Sequence, residues 1–579
     1  MFIRLVLFVL IAIASLNGNA QKDLQSAQKE IALFNYSKAI ELLQNDLKNS
    51  KGNFTCEATL LLADCYRMQN DAANARIWYK KTIGHEHQCK TYKTPEPAVY
   101  YHYAQVLRNL GEYQEARKFF LTYDSLDQSQ SRGIFYAASC DSAIRWQTAS
   151  PEYKISNLTR LNSPQSEFGP VPYHKGVMFA SDRIVDDQWN KKYGWTGNNY
   201  LNLFFTEPVD PEHLAGDYNK PGLSTDLPRT EWHEGPVSFN SEFSLVFINQ
   251  TQLIRDKGKK DNGRIRTHLL KIFSSTFSGG KWSKPEPFFL NSDDYSVGHP
   301  ALSPDGNTLC FVSDMPGGYG ETDIWICRKE GNGWSKPVNA GHEINTAGKE
   351  MFPFLAWNGD LFFASDGLPG FGGLDLFVAR IKDNQWITPR NLGLPVNSSY
   401  DDFSLVCLKD TLSGMFSSNR PGGSGSDDLY SFRKIQVAKK SPPEVITPIP
   451  VAIHTDTLKI NKTYRLENIF YNFDKWDIRE DAKPSLDNLV KIMKEYPVSV
   501  ELGSHTDCRG TEEYNLLLSQ RRAESAVQYI ISCGISGARI TAKGYGKTQL
   551  LNRCNCEHGT VCTEKEHQYN RRTEFKIIR

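Results

Sequence analysis

The sequence predicts a multidomain chain made of an α-helical solenoid of short repeats, an all-β region of longer repeats, and a C-terminal α/β domain. Three observations predict it. Small residues recur at a 12-residue step in the first quarter of the chain. A Phe-x-Ser-(Asp/Asn) element returns after 52 and then 53 residues in the middle. The last stretch alternates short apolar runs with helical periodicity. A length of 579 residues fits, since roughly 100–200 residues per domain predicts about three to five units. Lys+Arg number 67 against Asp+Glu 66, a formal charge of +1, so the chain lacks the positive field that nucleic-acid binding requires. The hydrophobic fraction of 40% supports packed cores and excludes disorder of the whole chain, while 42 Gly and 28 Pro imply many turns between short strands.

The chain opens with a short positive segment, Met1 to Arg4, an apolar run of 12 residues from Leu5 to Leu16, and the small-residue exit Asn17-Gly18-Asn19-Ala20. Twelve apolar residues are too few to span a bilayer, so residues 1–20 are expected to be a secretory signal peptide cleaved after Ala20. Position 21 is Gln, where a lipoprotein would carry its lipidated Cys. No later stretch approaches the apolar length of a spanning helix, and the mature chain is expected to be soluble once exported. All 12 cysteines lie downstream of the signal, where an oxidising compartment permits disulfides.

Residues 22–148 have helical periodicity. Ala27 and Ala39, Ala63 and Ala75, and Ala104 and Ala116 each stand 12 apart, and the three segments follow one another at 36 and 41 residues. Between the small residues lie Phe34-Asn35-Tyr36, Met68-Gln69-Asn70 and Leu110-Gly111-Glu112-Tyr113. This pattern resembles the tetratricopeptide repeat, in which small residues let two antiparallel helices approach closely. A fourth helical pair around Phe135 to Trp146 reads as a cap, and the alternative for the region is an ordinary helical bundle.

Residues 151–435 change character to short apolar runs between Gly/Pro/Asp/Asn clusters. Phe311-Val312-Ser313-Asp314, Phe363-Ala364-Ser365-Asp366 and Phe416-Ser417-Ser418-Asn419 are each followed by an Asp-(Ile/Leu)-aromatic element, at Asp323, Asp375 and Asp428. Trp282, Trp334 and Trp386 keep the same 52-residue beat, and looser copies stand at Phe179 and Phe247. A period near 50 with several strands per unit predicts a β-propeller of five or six blades, because each small sheet must bury both faces against its neighbours. Leu302-Ser303-Pro304-Asp305-Gly306 resembles the turn of the WD40-like repeats of TolB-type propellers. Asp314, Asp323, Asp366 and Asp375 recur with the repeat and are read as fixing turns. Residues 436–463, with Ser441-Pro442-Pro443 and Pro448-Ile449-Pro450, read as a Pro-rich linker.

Residues 464–579 are expected to alternate strands at Ile469–Phe473, Val498–Leu502, Arg539–Lys543 and Thr573–Ile578 with helices at about 483–495 and 511–532. Five ordered motifs lie on this frame: Phe473-Asp474-Lys475-Trp476-Asp477, Gly503-Ser504-His505-Thr506-Asp507, Tyr514-Asn515 with Leu518-Ser519-x-x-Arg522-Ala523, Gly544-Tyr545-Gly546, and Asn570-Arg571-Arg572-Thr573-Glu574-Phe575. Together they closely resemble the OmpA C-terminal family, which includes the peptidoglycan-associated lipoprotein and the MotB-type stator domain. The resemblance covers about 110 residues and implies non-covalent binding of peptidoglycan through the diaminopimelate of its stem peptide. It assigns the ligand's ammonium to Asp507 and its carboxylate to Arg522, with Asn515, Thr506, Asp474, Lys475 and Trp476 lining the same pocket. That chemistry is sound. Asn515 and Arg522 are seven apart and share a helix face, and an arginine fork beside an aspartate can read an amino-acid zwitterion. The alternative for Asp507 and Arg522 is a plain structural salt bridge.

Between Leu551 and Asn570 the chain inserts Cys554, Cys556, His558, Cys562 and His567, ligand types that suit zinc but in an exported protein suit disulfides better. The pairs considered are Cys554 with Cys562, and Cys556 with Cys508. This cysteine-bearing version resembles that of Bacteroidetes proteins. No metal and no cofactor is expected.

The order of helical repeats, WD40-like propeller and OmpA-like domain resembles the PorE-type periplasmic component of the type IX secretion system. Two features of that family are missing, the lipidated Cys and a small β-domain before the OmpA-like part. The resemblance implies a non-enzymatic scaffold in the periplasm, associated with outer membrane and cell wall, whose partners are peptidoglycan and envelope proteins. The alternative is a propeller-based periplasmic hydrolase or lyase tethered to the wall, but the chain has neither a Gly-x-Ser-x-Gly elbow nor a His-Glu-x-x-His motif, and no enzyme is expected. The turn-rich repeats likewise do not suit a membrane barrel.

Overall fold

The computed structural model describes residues 23–49, 56–84, 96–127, 132–185, 191–210, 217–255, 266–382, 385–435, 463–466, 476, 478, 482–509, 511–551, 567 and 570–578. The expected signal peptide, nearly all of the expected linker, the strand expected at Ile469–Phe473, and Asp474, Lys475, Cys554, Cys556 and Cys562 lie outside them. Among the described residues no helix is long and apolar enough to cross a membrane. The chain divides into two compact units, Met1–Gln436 and Val437–Arg579.

The first unit begins with seven helices among the described residues: α1 (23–32), α2 (Tyr36–Asn49), α3 (Cys56–Met68), α4 (Ala72–Gly84), α5 (Pro97–Asn109), α6 (Tyr113–Leu126) and α7 (Arg132–Trp146). They pack as successive hairpins, and the six alanines at the 12-residue step are all fully buried where helices cross. Each of the first three hairpins turns on a left-handed residue, Phe34, Asn70 and Gly111, at the same place in the repeat. Only Gly111 adopts that conformation without steric cost.

Five antiparallel sheets follow, counted among the described residues. The first holds β2 (Glu167–Tyr173), β3 (Gly176–Ser181), β4 (Asn202–Thr206) and β5 (Gly222–Leu223). The second holds β6 (Glu234–Phe239), β7 (Leu245–Arg255), β8 (Arg266–Ser278), β9 (Lys281–Trp282) and β10 (Glu286–Pro287). The third holds β11 (Val297–Leu302), β12 (Thr308–Ser313), β13 (Asp323–Glu330), β14 (Gly333–Trp334) and β15 (Val338–Asn339). The fourth holds β16 (Glu350–Leu355), β17 (Leu361–Ser365), β18 (Asp375–Ala379) and β21 (Arg390–Asn391), beside the ribbon β19 (Ile381–Lys382) and β20 (Gln385–Trp386). The fifth holds β22 (Asp402–Cys407), β23 (Ser413–Ser418), β24 (Asp428–Lys434) and, from before all of these, β1 (Tyr153–Asn157).

The first strands of consecutive sheets touch in a closed cycle, β2 to β6 to β11 to β16 to β22 and back to β2. The cycle is fastened by β1, whose Tyr153 pairs with Lys434. Alternate side chains of each sheet fill the gaps to its neighbours, where Phe179, Phe247, Phe311, Phe363 and Phe416 are all fully buried. These are the phenylalanines of the 52-residue repeat.

The recurring aspartates fix turns, as the repeat suggests. Asp314 accepts from Ser296 N, Asp366 from Lys349 N, Asp323 from Tyr319 N and Asp375 from Gly372 N. A second acidic series begins the first strands and is buried: Glu167, Glu234, Glu350 and Asp402. Each caps the turn before it, Glu350 for instance taking Thr346 N and Oγ1 at 2.8 Å and Ser365 Oγ at 2.7 Å. Its signal is a Ser or Thr four residues earlier, at 163, 230, 346 and 398, which the sequence reading passed over.

Helices and sheets meet inside this unit. Trp195 Nε1 donates to Met68 O at 2.8 Å, and Ser139 Oγ donates to Gly370 O at 3.1 Å and accepts from Gly370 N at 3.0 Å. Trp146 packs on the fully buried Phe371. All these sheet residues lie on loops between a second and a third strand, Trp195 between β3 and β4, and Gly370 and Phe371 between β17 and β18.

The second unit contains β25 (Thr463–Leu466), α8 (Lys483–Glu495), β26 (Val500–Ser504), α9 (Glu512–Ser532), β27 (Ile540–Gly544) and β28 (Thr573–Ile577). The sheet order is β25-β28-β26-β27, antiparallel except for the parallel pair β26 and β27. Leu486, Leu489 and Met493 of α8 and Ala523, Ala526 and Ile530 of α9 bury one stripe each in a single core with Leu502 and Phe575. The strand expected from Val498 starts two residues later, because the Arg539 guanidinium takes the carbonyls of Val498 and Tyr496 that a neighbouring strand would need.

Candidate functional site

The central strand β26 ends at Ser504, and three other segments converge on that end of the sheet. β27 runs parallel to β26, so Gly544-Tyr545-Gly546 emerges beside it. β28 runs antiparallel, so Asn570-Arg571-Arg572 enters beside it. The N-terminal half of α9 closes the fourth side. Backbone bonds tie the segments: Tyr545 N to Ser504 O at 3.0 Å, Thr506 N to Gly546 O at 2.9 Å, and His505 N to Arg572 O at 2.9 Å. Gly544 is required for this approach, since a Cβ there would meet Gln520 N of α9 at 2.4 Å. Thr511 caps α9, its side chain accepting from Tyr514 N.

Asp507 sits in the loop between β26 and α9, almost entirely buried. Its carboxylate receives Arg509 N at 3.0 Å, the Arg509 guanidinium at 2.7 Å and the Arg571 guanidinium at 2.5 Å. Burial pushes its pKa up, but the hydrogen bonds from Arg509 and Arg571 outweigh burial and hold it below the usual carboxylate value, so Asp507 is ionised at neutral pH. Arg509 remains substantially exposed, while Arg571 is three-quarters covered.

Asn515, Ser519 and Arg522 line the buried face of α9. Asn515 Nδ2 donates to Arg509 O at 2.8 Å and so fixes the loop that carries Asp507. Ser519 Oγ accepts from Gly546 N at 2.8 Å. Arg522 is 5% exposed. Thr506 is buried, and no partner for its Oγ1 is found among the described residues. Beside it His505 stacks on Tyr545 with ring centroids 4.9 Å apart, and its Nε2 lies 3.4 Å from Glu574. Burial raises the Glu574 pKa, but hydrogen bonds with His505 and Arg572 take it down to about 2.

The structure therefore brings Thr506, Asp507 and Asn515 to one end of the sheet, with Arg522 two turns beyond Asn515 on the buried face of α9. Trp476 is exposed, with the Arg521 guanidinium 4.6 Å over its ring. Cys508, next to Asp507, is disulfide-bonded, and its Sγ lies 3.8 Å from His567 Nδ1. Among the described residues no group of His, Cys, Asp and Glu could hold a metal ion. Sequence reasoning quoted Arg571 within a motif and gave it no role, and it gave none to Arg509. A second arginine in Asn-Arg-Arg at the mouth of a strand was the available signal. Chemically the cluster has an ionised carboxylate between the guanidiniums of Arg509 and Arg571. It offers an acceptor for an ammonium and an excess of donors for a carboxylate.

Residues 470–561, inside the second unit, match the model of the OmpA family. The chain is 37% identical over 90 residues to the peptidoglycan-associated lipoprotein of Rhizobium meliloti, covering 15% of this chain and 51% of that protein. It is 33% identical over 111 residues to outer membrane porin F of Pseudomonas fluorescens, covering 19% of this chain and 32% of the porin. Among solved structures, the peptidoglycan-associated lipoprotein of Burkholderia pseudomallei aligns at 24% identity with a TM-score of 0.17, over 20% of this chain and 89% of that one. The match spans about half the length of the first relative and a third of the second. The C-terminal unit carries an OmpA-type α/β domain.

Proposed function

We propose that this chain is a non-enzymatic scaffold of the cell envelope that grips peptidoglycan through its OmpA-type domain and holds partner proteins on its helices and sheets. The observation that carries the reading is the buried, ionised Asp507 set among arginines at the open end of the sheet. Diaminopimelate offers an amino-acid zwitterion at the end of the stem peptide. Asp507 takes its ammonium and Arg522 its carboxylate, while Asn515 and Thr506 shape the loop, with Asp474, Lys475 and Trp476 completing the pocket. The names of the relatives support the same target and a place in the periplasm beside the outer membrane.

In this reading residues 22–148 form a tetratricopeptide-like solenoid and 151–435 a five-bladed propeller closed by β1. The buried alanines at the helix crossings and the closed cycle of first strands support it. Both present protein-sized surfaces, which suits the anchoring of a type IX secretion complex to the wall. The test is co-sedimentation of the full mature chain with purified peptidoglycan. Wild type is expected in the pellet, while Asp507→Ala and Arg522→Ala lose about tenfold or more in affinity, the scale of a broken charge-assisted pair. Equal sedimentation of all three proteins would falsify wall binding through this site. Crosslinking in cells followed by mass spectrometry tests the partners, with secretion components as the expected catch and unrelated envelope proteins as the contrary result.

A further inference from the structure

The first unit contains a cavity of about 450 Å³ at the centre of the ring of sheets, lined from all five first strands. Nothing in the wall-binding reading uses it. Its wall begins at a bulge that every first strand shares. In each, the pairing register slips by one residue, at Phe168/Val171, Glu234/Val237, Gly298/Ala301, Met351/Phe354 and Phe403/Val406. The first bulged residue is left-handed in all five: Gly169, Gly235, His299, Phe352 and Ser404. Three of these are not glycine, and a left-handed non-glycine residue costs on the order of 1 kcal/mol or more, so the ring holds strain at the cavity's inner end.

Aromatic rings crowd that inner end. His299 stacks on Phe352 at 3.9 Å, Phe352 packs on Phe403 at 4.9 Å, and Phe168 lies against both phenylalanines. The helices cover loops on this same side, because loops after the second strands lie beside the starts of the first strands. The outer end is bounded by the hairpin turns that follow the first strands, with His174, Trp357 and Lys409 exposed at the lip. The cavity is therefore a funnel, with packed rings at its inner end and exposed side chains at its outer end.

Its chemistry is one-sided. Pro170, Pro172, Pro236, Pro300, Pro304 and Pro353 line it, and none has an N–H to donate. Three polar side chains of the wall serve the wall: Ser238 Oγ accepts from Leu302 N, Asn240 bonds Ser244 and Leu245, and His299 Nδ1 accepts from Phe352 N. Among the described lining residues Lys409 alone carries a fixed charge, and no carboxylate is present. Its ammonium stands 4.8 Å over the Trp357 ring at the mouth.

We propose that this funnel binds a single-chain anionic amphiphile, a long-chain fatty carboxylate, with the acyl chain in the proline-walled interior and the head group at Lys409. A pocket of this size suits a small ligand, in the range of about 300–1,000 Å³. Charge complementarity selects the anion. The six prolines, with no N–H to give, favour an acyl chain over a peptide, whose backbone carbonyls need N–H partners wherever water is excluded.

The test uses the full mature chain and the fluorescent fatty acid cis-parinaric acid, displaced by palmitate, by hexadecanol and by hexadecyltrimethylammonium. The expected result is saturable fluorescence, with palmitate displacing the probe at about tenfold lower concentration than hexadecanol and the cationic amphiphile weakest. Lys409→Ala, at an exposed position, is expected to erase the advantage of palmitate and leave hexadecanol unchanged. The proposal is overturned by an unsaturable signal, by equal displacement with the anionic and cationic amphiphiles, or by a palmitate advantage that survives Lys409→Ala. Displacement by an apolar peptide in place of palmitate overturns it too, and marks a peptide site. Peptidoglycan co-sedimentation of Lys409→Ala stays at the wild-type level in every case, which separates this inference from wall binding.

Discussion

Buried carboxylates meet arginines in both units, and the surroundings of the guanidinium differ. In the ring of sheets Arg420 pairs with the fully buried Asp402, gives its remaining donors to Pro395 O and Val396 O, and stacks on Phe416 and Tyr430. Arg183 repeats the arrangement with Glu167, Leu161 O, Phe179 and Phe204. These pairs are closed, one acid to one cation, and they recur. At Asp507 one acid faces two guanidiniums, one of them substantially exposed. Recurrence with balanced charge marks a structural device. The Asp507 cluster at a strand end has an excess of positive charge, which the ligand's carboxylate would complete in the proposed wall-binding reading.

The comparison can be broken most widely by pH. In the first unit burial raises Glu234 to about 8 and Glu350, Asp375 and Asp427 to about 7, far above ordinary values of 4.5 and 3.8. Folding then takes up protons, and the stability these groups contribute is lost as pH rises through 7 to 8. Burial lowers His102, His233 and His299 to about 3, which opposes the carboxylates only once pH falls below about 6.5. The first unit is therefore expected to gain stability from pH 8 to pH 6.5. In the second unit Glu574 and Asp507 have depressed values, so their contribution is constant over that window and is lost as pH falls below about 4.5 toward 2. Scanning calorimetry between pH 8 and pH 3 should show one transition moving up on mild acidification while the other stays put. Parallel movement of both would remove the contrast.

Arg420→Ala leaves Asp402 buried without its cation and should cost about 3–5 kcal/mol of first-unit stability in denaturant unfolding, with wall binding of the folded protein unchanged. A cost near zero would mean that the ring acids are as adaptable as Asp507. Gly425→Ala probes the packed turns of the ring, where a Cβ would fall 1.8 Å from the Gln165 carbonyl, and about 1–3 kcal/mol should be lost. Thr511→Ala removes the cap of α9 and should cost about 1 kcal/mol. Its shift identifies the second unit's transition in the calorimeter.

Much of the local structure was legible because it depends on short-range regularities. Ala27, Ala63 and Ala104 announce helix crossings, since only a small side chain admits a second helix. Phe311, Phe363 and Phe416 announce a repeated sheet, since each must present the same face to its neighbour. The buried acids that begin the first strands stayed hidden. Glu350 reads as an ordinary polar residue until Ser365 and Thr346 are seen around it. Arg571 stayed hidden for the same kind of reason. It stands 64 residues from Asp507, and only the antiparallel register of β28 against β26 brings it there.

The sequence by itself determined the succession of helical repeats, repeated sheets and a C-terminal α/β domain, because periodicity of apolar and small residues is set within a few turns or strands. The tertiary structure decided three things. It closed the ring, through β1 pairing with β24 across the length of the β region. It made a cavity at its centre lined from all five first strands, and it gathered Asp507, Arg509 and Arg571 into one cluster. Each depends on strand register and on contacts between distant segments, and neither composition nor period encodes those distances.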